Sequence, residues 1–392
     1  MTVAKTGLCT ILSIQSDRMT AVIDLYTSQK FKFWVFASMI MLLFIHGYNL
    51  NERYLQSFSI VNERLTFTSF TEYFLSNGLF RFFVPMLFSI SGYLYAIHDT
   101  RPYGERIRKR MRTILLPYLI WSAVSILYTY AFELTPYGRT IVEQTHLMQL
   151  SNNRILLHDY TGWELLLRWI LLPVSYQLWF LRVLFIYNLA YPILHWCITK
   201  YTKVLFLVLI LFWISGIQFL LIEGEGLLFF SLGIWLQKSN FNIRESKKWL
   251  RPLPWAAVFI IFAIMKTLLA FYGFSIMGNA VFLLLILLYK LVVFSGFIAA
   301  WYGSDTLVKW CMKRPWFVWL SAFSFIIYAL HAPLVAYAIN AIFPLVQNIY
   351  EYRLLTYLFL PLGLLIFCVG TGVILRNVFP KLYAVLTGER GF

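Results

Sequence analysis

The stretch that decides the fold is FWVFASMIMLLFIHGYNL, residues 33–50, which follows Lys32 and contains no Asp, Glu, Lys or Arg. An apolar helix of roughly 20 residues crosses the ~30 Å hydrocarbon core of a bilayer, so this stretch predicts a membrane-spanning helix. One residue is unusual for such a helix, because His46 still lies inside the apolar run. An ionisable side chain is costly in hydrocarbon, and it is therefore a candidate functional residue.

The rest of the chain has the same character. Of its 392 residues 60% are hydrophobic and 13% are charged, which is outside the usual range of water-soluble proteins. The sequence predicts an all-α, polytopic integral membrane protein with about ten transmembrane helices. The predicted spans are residues 33–50, 78–97, 114–134, 178–198, 204–222, 227–237, 252–272, 278–302, 316–341 and 354–375.

The domain organisation follows from these spans. A single transmembrane domain is expected over residues 32–379, since no stretch between the spans is long enough for an ordinary water-soluble domain. Residues 1–31 are predicted to be a cytoplasmic N-terminal segment, and residues 380–392 a cytoplasmic tail. The first 31 residues lack the apolar segment and cleavage site of a signal peptide.

The net charge of +16 is explained by topology. With both termini in the cytoplasm, 23 of the 33 Lys and Arg residues lie in predicted inner segments and 6 in outer loops. Basic residues favour the cytoplasmic side during insertion, so this asymmetry predicts the orientation and an even number of spans. The positive charge therefore gives no reason to expect a nucleic-acid partner, and the expected surroundings are membrane lipid.

Five basic or titratable side chains are predicted to share one level near the outer face, because each lies at a similar depth when counted at 1.5 Å per residue. They are His46, Arg81, Arg182, Lys266 and His331. Lys290 is expected nearer the midplane, and no Asp or Glu is expected beside these cations inside the membrane. The pattern predicts a polar cavity near the outer side, although for the Arg and Lys residues snorkelling to the headgroups is the alternative.

Several soluble-enzyme motifs are missing. The sequence has no G-x-S-x-G elbow, no phosphate loop of the G-x-x-x-x-G-K-[ST] type, no C-x-x-C and no H-E-x-x-H. It also lacks a D-x-D motif of the kind that holds a nucleotide-sugar metal. A serine nucleophile, an ATPase and a zinc enzyme are disfavoured, and no metal site is expected.

Five segments occur in an order that resembles a known family. They are RFFVPMLFSISGYLYA (81–96), RIRKRMRTILLPYLIWS (106–122), QLWFLRVLFIYNLAYPIL (177–194), LLFFSLGIWL (227–236) and FSFIIYALHAPLV (323–335). This set, together with a first span that carries a histidine, resembles the membrane acyltransferase-3 family. Each motif is weak alone because it is mostly apolar, whereas the ordered set is specific. Many members carry an arginine eleven positions before the histidine, where this chain has Val35.

The resemblance implies an O-acyltransferase of cell-surface glycans in the bacterial cytoplasmic (inner) membrane. It implies cytoplasmic acyl-CoA as co-substrate, with acetyl-CoA as the default donor and a succinyl group as the alternative, and no bound cofactor. The acceptor is expected to be a hydroxyl of a lipid-linked or polymeric saccharide on the outer side. Five basic residues of the predicted inner loop are expected to bind the CoA phosphates, or else only to anchor the flanking helices. They are Arg106, Arg108, Lys109, Arg110 and Arg112.

In this scheme three residues form the expected catalytic group. His46 is the general base that removes the proton from the attacking hydroxyl. Arg81 holds an anionic group or the developing oxyanion, and His331 is a second proton carrier or an orienting partner. The expected substrate-binding residues are Tyr176, Trp179, Arg182 and Lys266.

A transporter or flippase for an anionic lipid-linked saccharide is the alternative function, since a polar layer also suits a transport site. Transporters often have inverted repeats and pairs of helices broken by Gly or Pro near the midplane. The sequence shows neither feature clearly, which favours the acyltransferase.

Overall fold

The computed structural model describes residues 23–51, 56–147 and 155–390, so most of the predicted N-terminal segment lies outside the described residues. Within these ranges the structure is helical, apart from one isolated β-bridge between Gln218 and Glu223. The predicted all-α class is confirmed. The α-helices are α1 Leu25–His46, α2 Phe67–Tyr73, α3 Phe83–Ile97, α4 Tyr103–Arg110, α5 Leu116–Phe132, α6 Pro136–Thr145, α7 Gly162–Ile170, α8 Trp179–Leu189, α9 Tyr191–Lys200, α10 Thr202–Ser215, α11 Gly224–Lys238, α12 Pro252–Met277, α13 Ala280–Gly303, α14 Asp305–Met312, α15 Pro315–Ser321, α16 Ser324–Val346, α17 Tyr352–Val378 and α18 Pro380–Thr387.

Seven helical stretches of the described chain are long and apolar enough to cross a membrane. They are Leu25–His46, Phe67–Ile97, Tyr103–Phe132, Lys248–Met277, Ala280–Gly303, Ser324–Val346 and Tyr352–Val378. Helices α8 and α9 meet at a bend of 61° and make an eighth span if they are counted together. The other two predicted spans, 204–222 and 227–237, correspond to α10 and α11, which have 14 and 15 residues. Such helices are only about 21–23 Å long, which is less than the ~30 Å thickness of the hydrocarbon core. Seven or eight of the ten predicted spans are therefore long enough to cross it.

The first span begins earlier than the apolar pattern predicts. The side chain of Asp24 accepts a hydrogen bond from the backbone N–H of Thr27, which caps α1 at its N-terminus. The polar turn that precedes Lys32 is therefore helical as well, and it extends the histidine-bearing helix toward the predicted cytoplasmic side. His46 is its last residue.

Two of the central helices, α3 and α11, touch through their backbones. A Cβ atom built on Gly92 would lie 2.1 Å from the carbonyl oxygen of Phe230, and one built on Gly233 would lie 2.1 Å from that of Ser89. Small residues allow such close approach of helices in membranes. Gly92 of the SISGY segment (89–93) therefore allows close packing of two helices.

The segment predicted as a cytoplasmic tail contains a packed helix. In α18 the side chains of Tyr383, Leu386 and Thr387 are buried, and the indole N–H of Trp121 donates a hydrogen bond of 2.9 Å to the carbonyl oxygen of Leu386. This contact ties the end of the chain to α5. The predicted cytoplasmic position of this segment stays a prediction.

Candidate active site

The two intramembrane histidines meet. The ring centroids of His46, at the end of α1, and His331, in α16, are 5.1 Å apart, and the ring planes are inclined by 60°. His331 is fully buried, with an exposed fraction of 0%, whereas His46 is partly exposed. The two side chains therefore lie beside each other, as a common depth requires, and of the two only His46 keeps exposed surface.

The backbone of α16 fixes the tautomer of His331. Its Nδ1 lies 2.8 Å from the carbonyl oxygen of Ile327. A carbonyl oxygen only accepts hydrogen bonds, so Nδ1 carries the proton of the neutral ring and Nε2 has a free lone pair. This Nε2 and the Nδ1 of His46 are both buried, and neither has a hydrogen-bond partner among the described residues. The unpaired nitrogens therefore belong to neighbouring rings.

Helix α16 is broken directly after His331. Ala332 has non-helical backbone angles, with φ of −115° and ψ of 143°, and Pro333 has no N–H to donate to the preceding turn. The side-chain amide of Gln177 replaces these missing donors. Its Nε2 donates to the carbonyl oxygens of Tyr328, Ala329 and Ala332 at 3.2, 3.1 and 3.2 Å.

The turn that contains Gln177 also contacts His46 through an aromatic ring. Tyr176 belongs to the 3-10 turn Tyr176–Leu178, and its ring is stacked on the His46 imidazole at 4.8 Å between centroids. The hydroxyl of Tyr328 donates back to the carbonyl oxygen of Gln177 at 2.6 Å. The broken helix, the Tyr176 turn and both histidines thus form one connected unit.

Trp179 follows this turn and packs inward. Its ring lies 6.2 Å from those of Phe88 and Phe180. The structure therefore places Trp179 against protein rings and Tyr176 against His46. Sugar binding by either ring stays a prediction.

Arg81 and Lys266 are both tied to Asn77. The Nε of Arg81 donates to the Asn77 side-chain oxygen, and the Nζ of Lys266 donates to the Asn77 carbonyl oxygen, each at 3.0 Å. The charge of Arg81 acts on His46 and on Lys266, so these groups are neighbours. Lys266 is fully buried, which excludes snorkelling for this side chain.

Arg182 lies apart from this group. Its Nη2 donates a hydrogen bond of 2.8 Å to the carbonyl oxygen of Leu220, and its charge acts on Tyr118 and Tyr328. The structure shows no contact between Arg182 and His46, and its predicted role in substrate binding stays a prediction.

The expectation that the spans contain no carboxylate is wrong. Glu133, inside the predicted span 114–134, is fully buried. Glu72 and Glu225 are also buried, with exposed fractions of 0% and 5%. Each belongs to a helix that begins before the apolar run does. Lys290 has a carboxylate neighbour, since its Nζ lies 4.0 Å from Glu225. Glu225 also accepts hydrogen bonds from Trp213 and Tyr289, so this cluster is internally paired.

A large cavity lies below the histidine pair. Its volume is about 630 Å³, and its wall includes Met39 of α1 and Tyr328 of α16. Tyr328 is three residues before His331, about 4.5 Å along the helix axis. Along α1 the wall extends from Ser28 to Met39, a rise of about 16 Å. The cavity therefore leads from the beginning of α1 to within one helical turn of the buried histidine.

The wall of this cavity carries three cations, Lys32, Arg110 and Arg390, so we call it the cationic cavity. None of the three forms an ion pair with a carboxylate among the described residues. Burial and the neighbouring Arg110 guanidinium lower the pKa of Arg390 to about 10, which leaves it charged at neutral pH. Converging cations without a carboxylate partner are typical of an anion-binding site.

The basic loop contributes less to this cavity than predicted, because only Arg110 of its five expected CoA ligands lines it. Arg106 is buried, with its guanidinium 4.0 Å from the Tyr95 ring. The side chains of the other three residues, Arg108, Lys109 and Arg112, are exposed. Binding of acyl-CoA by these five residues stays a prediction.

Sequence reasoning missed Arg390 and Gln177. Arg390 is a lone arginine two positions from the chain end, and Gln177 is a lone amide at the start of an apolar span, so neither stands out. Val35, where many family members have an arginine, lines the cationic cavity, and so does Lys32, three positions earlier. A lysine one turn below therefore supplies a cation on this wall.

Comparison with known proteins identifies the family of the chain. A family model described as an acyltransferase domain, that of the acyltransferase-3 family, matches residues 36–376. The chain is also similar to the succinoglycan biosynthesis protein ExoH of Rhizobium meliloti (strain 1021), with 28% identity over 322 residues that cover 81% of each chain. No solved structure matches the chain. The family match covers most of the sequence and confirms the resemblance, and the chain therefore belongs to the acyltransferase-3 family as a multi-pass membrane acyltransferase.

Proposed function

We propose that the chain transfers an acyl group from acyl-CoA to a hydroxyl of a surface polysaccharide or its lipid-linked precursor, in the bacterial cytoplasmic membrane. The observation that carries this proposal is the position of the paired histidines, 5.1 Å apart, with His331 within one helical turn of Tyr328 on the wall of the cationic cavity. A donor that enters from the cytoplasm and an acceptor on the outer side would meet at this point.

The cationic cavity would hold the donor. Lys32, Arg110 and Arg390 are the proposed partners of the CoA phosphates, since charge-assisted hydrogen bonds favour such groups. His46 is fourteen residues past Lys32, about 21 Å further along α1. The pantetheine arm would lie along this length, past Met39 and Tyr328, with its thioester beside the histidine pair. Ser91 also lines the cavity, so one serine of the SISGY segment faces the proposed passage.

His46 acts as the general base in this proposal. Its imidazole takes the proton from the acceptor hydroxyl while the hydroxyl oxygen attacks the thioester carbonyl carbon. The carbon–sulfur bond then breaks, and the proton passes from His46 to the leaving sulfur to give free CoA thiol. The partial exposure of His46 supports this role, because the fully buried His331 has no surface for the acceptor.

His331 would orient the base. With its Nδ1–H bonded to Ile327, its Nε2 is an acceptor for a proton on the Nδ1 of His46. A hydrogen bond between these two nitrogens is proposed for the reactive state. The bond would leave the Nε2 of His46 unprotonated and would stabilise the imidazolium that forms during transfer, as an orienting group does in other base-activated sites.

Arg81 would stabilise the oxyanion of the tetrahedral intermediate, because its charge already acts on His46. Tyr176, Trp179, Arg182 and Lys266 are the proposed acceptor-side residues. The name of the similar protein refers to succinoglycan biosynthesis, which supports a polysaccharide acceptor. Acetyl is the default acyl group, and succinyl is the alternative.

A His46→Ala variant tests the proposal. The two forms are expressed at equal membrane levels in cells that lack the native gene, and ester-linked acyl groups on the surface glycan are measured after alkaline release. Loss of the base is expected to lower the acylation rate by roughly 10²- to 10⁴-fold. His146→Asn is the matched control, because His146 is exposed in an outer segment and asparagine tolerates its positive φ of 53°.

The outcome that removes the proposal is equal acylation by His46→Ala and the native chain. Thiol release by the purified protein with acetyl-CoA and the cell's own glycan distinguishes chemistry from transport. The native protein should release CoA thiol in step with acylation, and a transporter should release none.

A further inference from the structure

A second cavity lies on the other side of α3. Its volume is about 210 Å³, and it is enclosed by α3, α11, α13 and the segment that connects α11 to α12. Nearly all of its lining is aliphatic or aromatic, with Phe229, Trp235, Phe297 and Trp301 as the largest members. We call it the aromatic cavity. No function has been assigned to it above, and the transfer reaction does not use it.

The aromatic cavity is suited to a hydrocarbon occupant. A buried water needs two to four polar partners, and apolar cavities of this size range stay dry. The one serine on its wall, Ser89, already donates its hydroxyl to the carbonyl oxygen of Phe229 at 3.0 Å. An acyl chain would make apolar contacts with this wall, which is almost entirely aliphatic and aromatic.

A basic rim adjoins the cavity. In the segment 239–251 the lining residues Phe241, Ile243, Trp249 and Leu250 are interleaved with four exposed cations. These cations are Arg244, Lys247, Lys248 and Arg251, and the segment holds a single acidic residue, Glu245.

Two observations connect this rim to the aromatic cavity. The Nζ of Lys247 lies 4.7 Å from the Phe241 ring centroid. Trp249 lines the cavity and is 62% exposed, so the cavity meets the surface at the rim.

We propose that this is a binding site for an anionic phospholipid of the leaflet that faces the segment 239–251, the cytoplasmic leaflet in the predicted orientation. One acyl chain lies in the aromatic cavity, and the phosphate lies on the basic rim. The charge of the rim decides between lipid classes, because juxtamembrane lysines and arginines favour anionic headgroups, whereas an uncharged rim would not discriminate.

The lipid also has a route to the reaction. Phe31 and Ile90 line both cavities, so a chain in the aromatic cavity packs against the wall of the cationic cavity. An occupied site is expected to hold this wall in place and to lower the KM for acyl-CoA. This last expectation rests on the proposed function, whereas lipid binding does not.

Native mass spectrometry of the purified full-length protein tests the binding. Palmitoyl-oleoyl phosphatidylglycerol is titrated against phosphatidylcholine with the same chains, and the number of retained lipids is counted. The native protein is expected to retain one phosphatidylglycerol in preference. Lys247→Gln with Lys248→Gln should weaken this binding roughly 25-fold, about fivefold for each cation. Lys313→Gln with Lys381→Gln removes the same charge from exposed sites outside the rim and should leave binding unchanged.

Leu236→Trp fills the cavity and should remove the retained lipid without changing the rim. Size-exclusion chromatography and melting temperature confirm that each variant is folded. Equal retention of the two lipids by the native protein, or an equal loss in both lysine pairs, would overturn the proposal. So would full retention in a folded Leu236→Trp variant. The acylation result for His46→Ala bears on the proposed function alone, which keeps the two tests separate.

Discussion

Arg390 places a guanidinium 4.8 Å from the centroid of the Phe325 ring, on the wall of the cationic cavity. The charge of Arg110 acts on Arg390 and repels it. Arg110 and Arg390 lie far apart in the sequence and line the same cavity, and neither forms an ion pair with a carboxylate of the described residues. A bound polyanion would relieve this repulsion, and the donor phosphates are the proposed source.

Replacement of Arg390 by glutamine is expected to raise the KM for acyl-CoA roughly 10- to 100-fold, which corresponds to the loss of one hydrogen bond to a charged group. The kcat should change little, because Arg390 is proposed to bind the donor phosphates and does not belong to the proposed catalytic group. Steady-state thiol release by the purified protein over a range of acetyl-CoA concentrations measures both constants.

Lys381→Gln is the control for this substitution, since Lys381 is exposed on α18 and does not line the cavity. An Arg390→Gln variant with an unchanged KM would show that the donor does not reach this part of the cavity.

At the level of single residues, the histidines were predictable and their partners were not. The rise of a helix is fixed, so the positions of His46 and His331 along their spans were enough to place them at one depth. The contact of Gln177 with three carbonyl oxygens depends on where α16 breaks. Such a contact between distant segments has no signature in either segment alone.

The break in α16 is the element that determines how the histidine pair is held. Pro333 leaves the carbonyl of Ala329 without its usual partner, and Gln177 supplies one from another segment. Because Tyr176 precedes Gln177 and is stacked on His46, one side chain positions both imidazoles. Gln177 is therefore a positioning residue in the proposed reaction.

A Gln177→Glu variant is expected to lose about 10- to 100-fold in kcat, since a small displacement of reacting groups has effects of this size. A carboxylate cannot donate to the three carbonyl oxygens, although it has nearly the same shape as the amide. The KM for acyl-CoA should stay unchanged because the cationic cavity is intact. Steady-state kinetics separate the two constants.

Gln347→Glu is the matched control, as Gln347 is exposed at the other end of α16. A non-additive result is the further check, because residues that act on one another do not contribute independently. In a His331→Ala background the Gln177→Glu change should have little further effect on kcat. Independent, multiplicative effects would argue for a general structural role.

The helices themselves followed from apolar patterning, whereas their ends and breaks did not. Each of the ten predicted segments contains a helix within the described chain. Glu72 and Glu225 were misplaced because hydrophobicity finds the centre of a span, and a helix continues past it until a cap or turn ends it. The bend of 61° between α8 and α9 likewise depends on packing with other elements.

Across the whole molecule, the asymmetry of basic residues sets the predicted orientation and thereby the direction of the reaction. The positive-inside rule assigns both the entrance of the cationic cavity and the basic rim at 239–251 to the cytoplasmic side. The acceptor side is then the loop that includes α6 and α7.

Cysteine labelling tests this orientation. In a background without the four native cysteines, Glu143→Cys should react with a membrane-impermeant maleimide in intact spheroplasts, since Glu143 is exposed on α6. Glu245→Cys, exposed on the opposite predicted side, should react only after permeabilisation. Labelling of Glu245→Cys in intact spheroplasts would reverse the orientation and with it the direction of the proposed transfer.

A single membrane domain was predictable at this scale, and the two cavities were not. Hydropathy and charge determine which segments enter the bilayer. The volume between helices depends on how their side chains interdigitate, so the cationic cavity became visible only with the chain end beside Lys32 and Arg110.

The contact between Gly92 and Phe230 has a mechanical consequence. Helix α3 separates the two cavities, and along this seam it rests on α11 with no flexible side chain between the backbones. The partition is therefore stiff, and a push from either compartment moves both helices as one body. A molecule in one compartment therefore sets the position of the wall that a molecule in the other compartment meets.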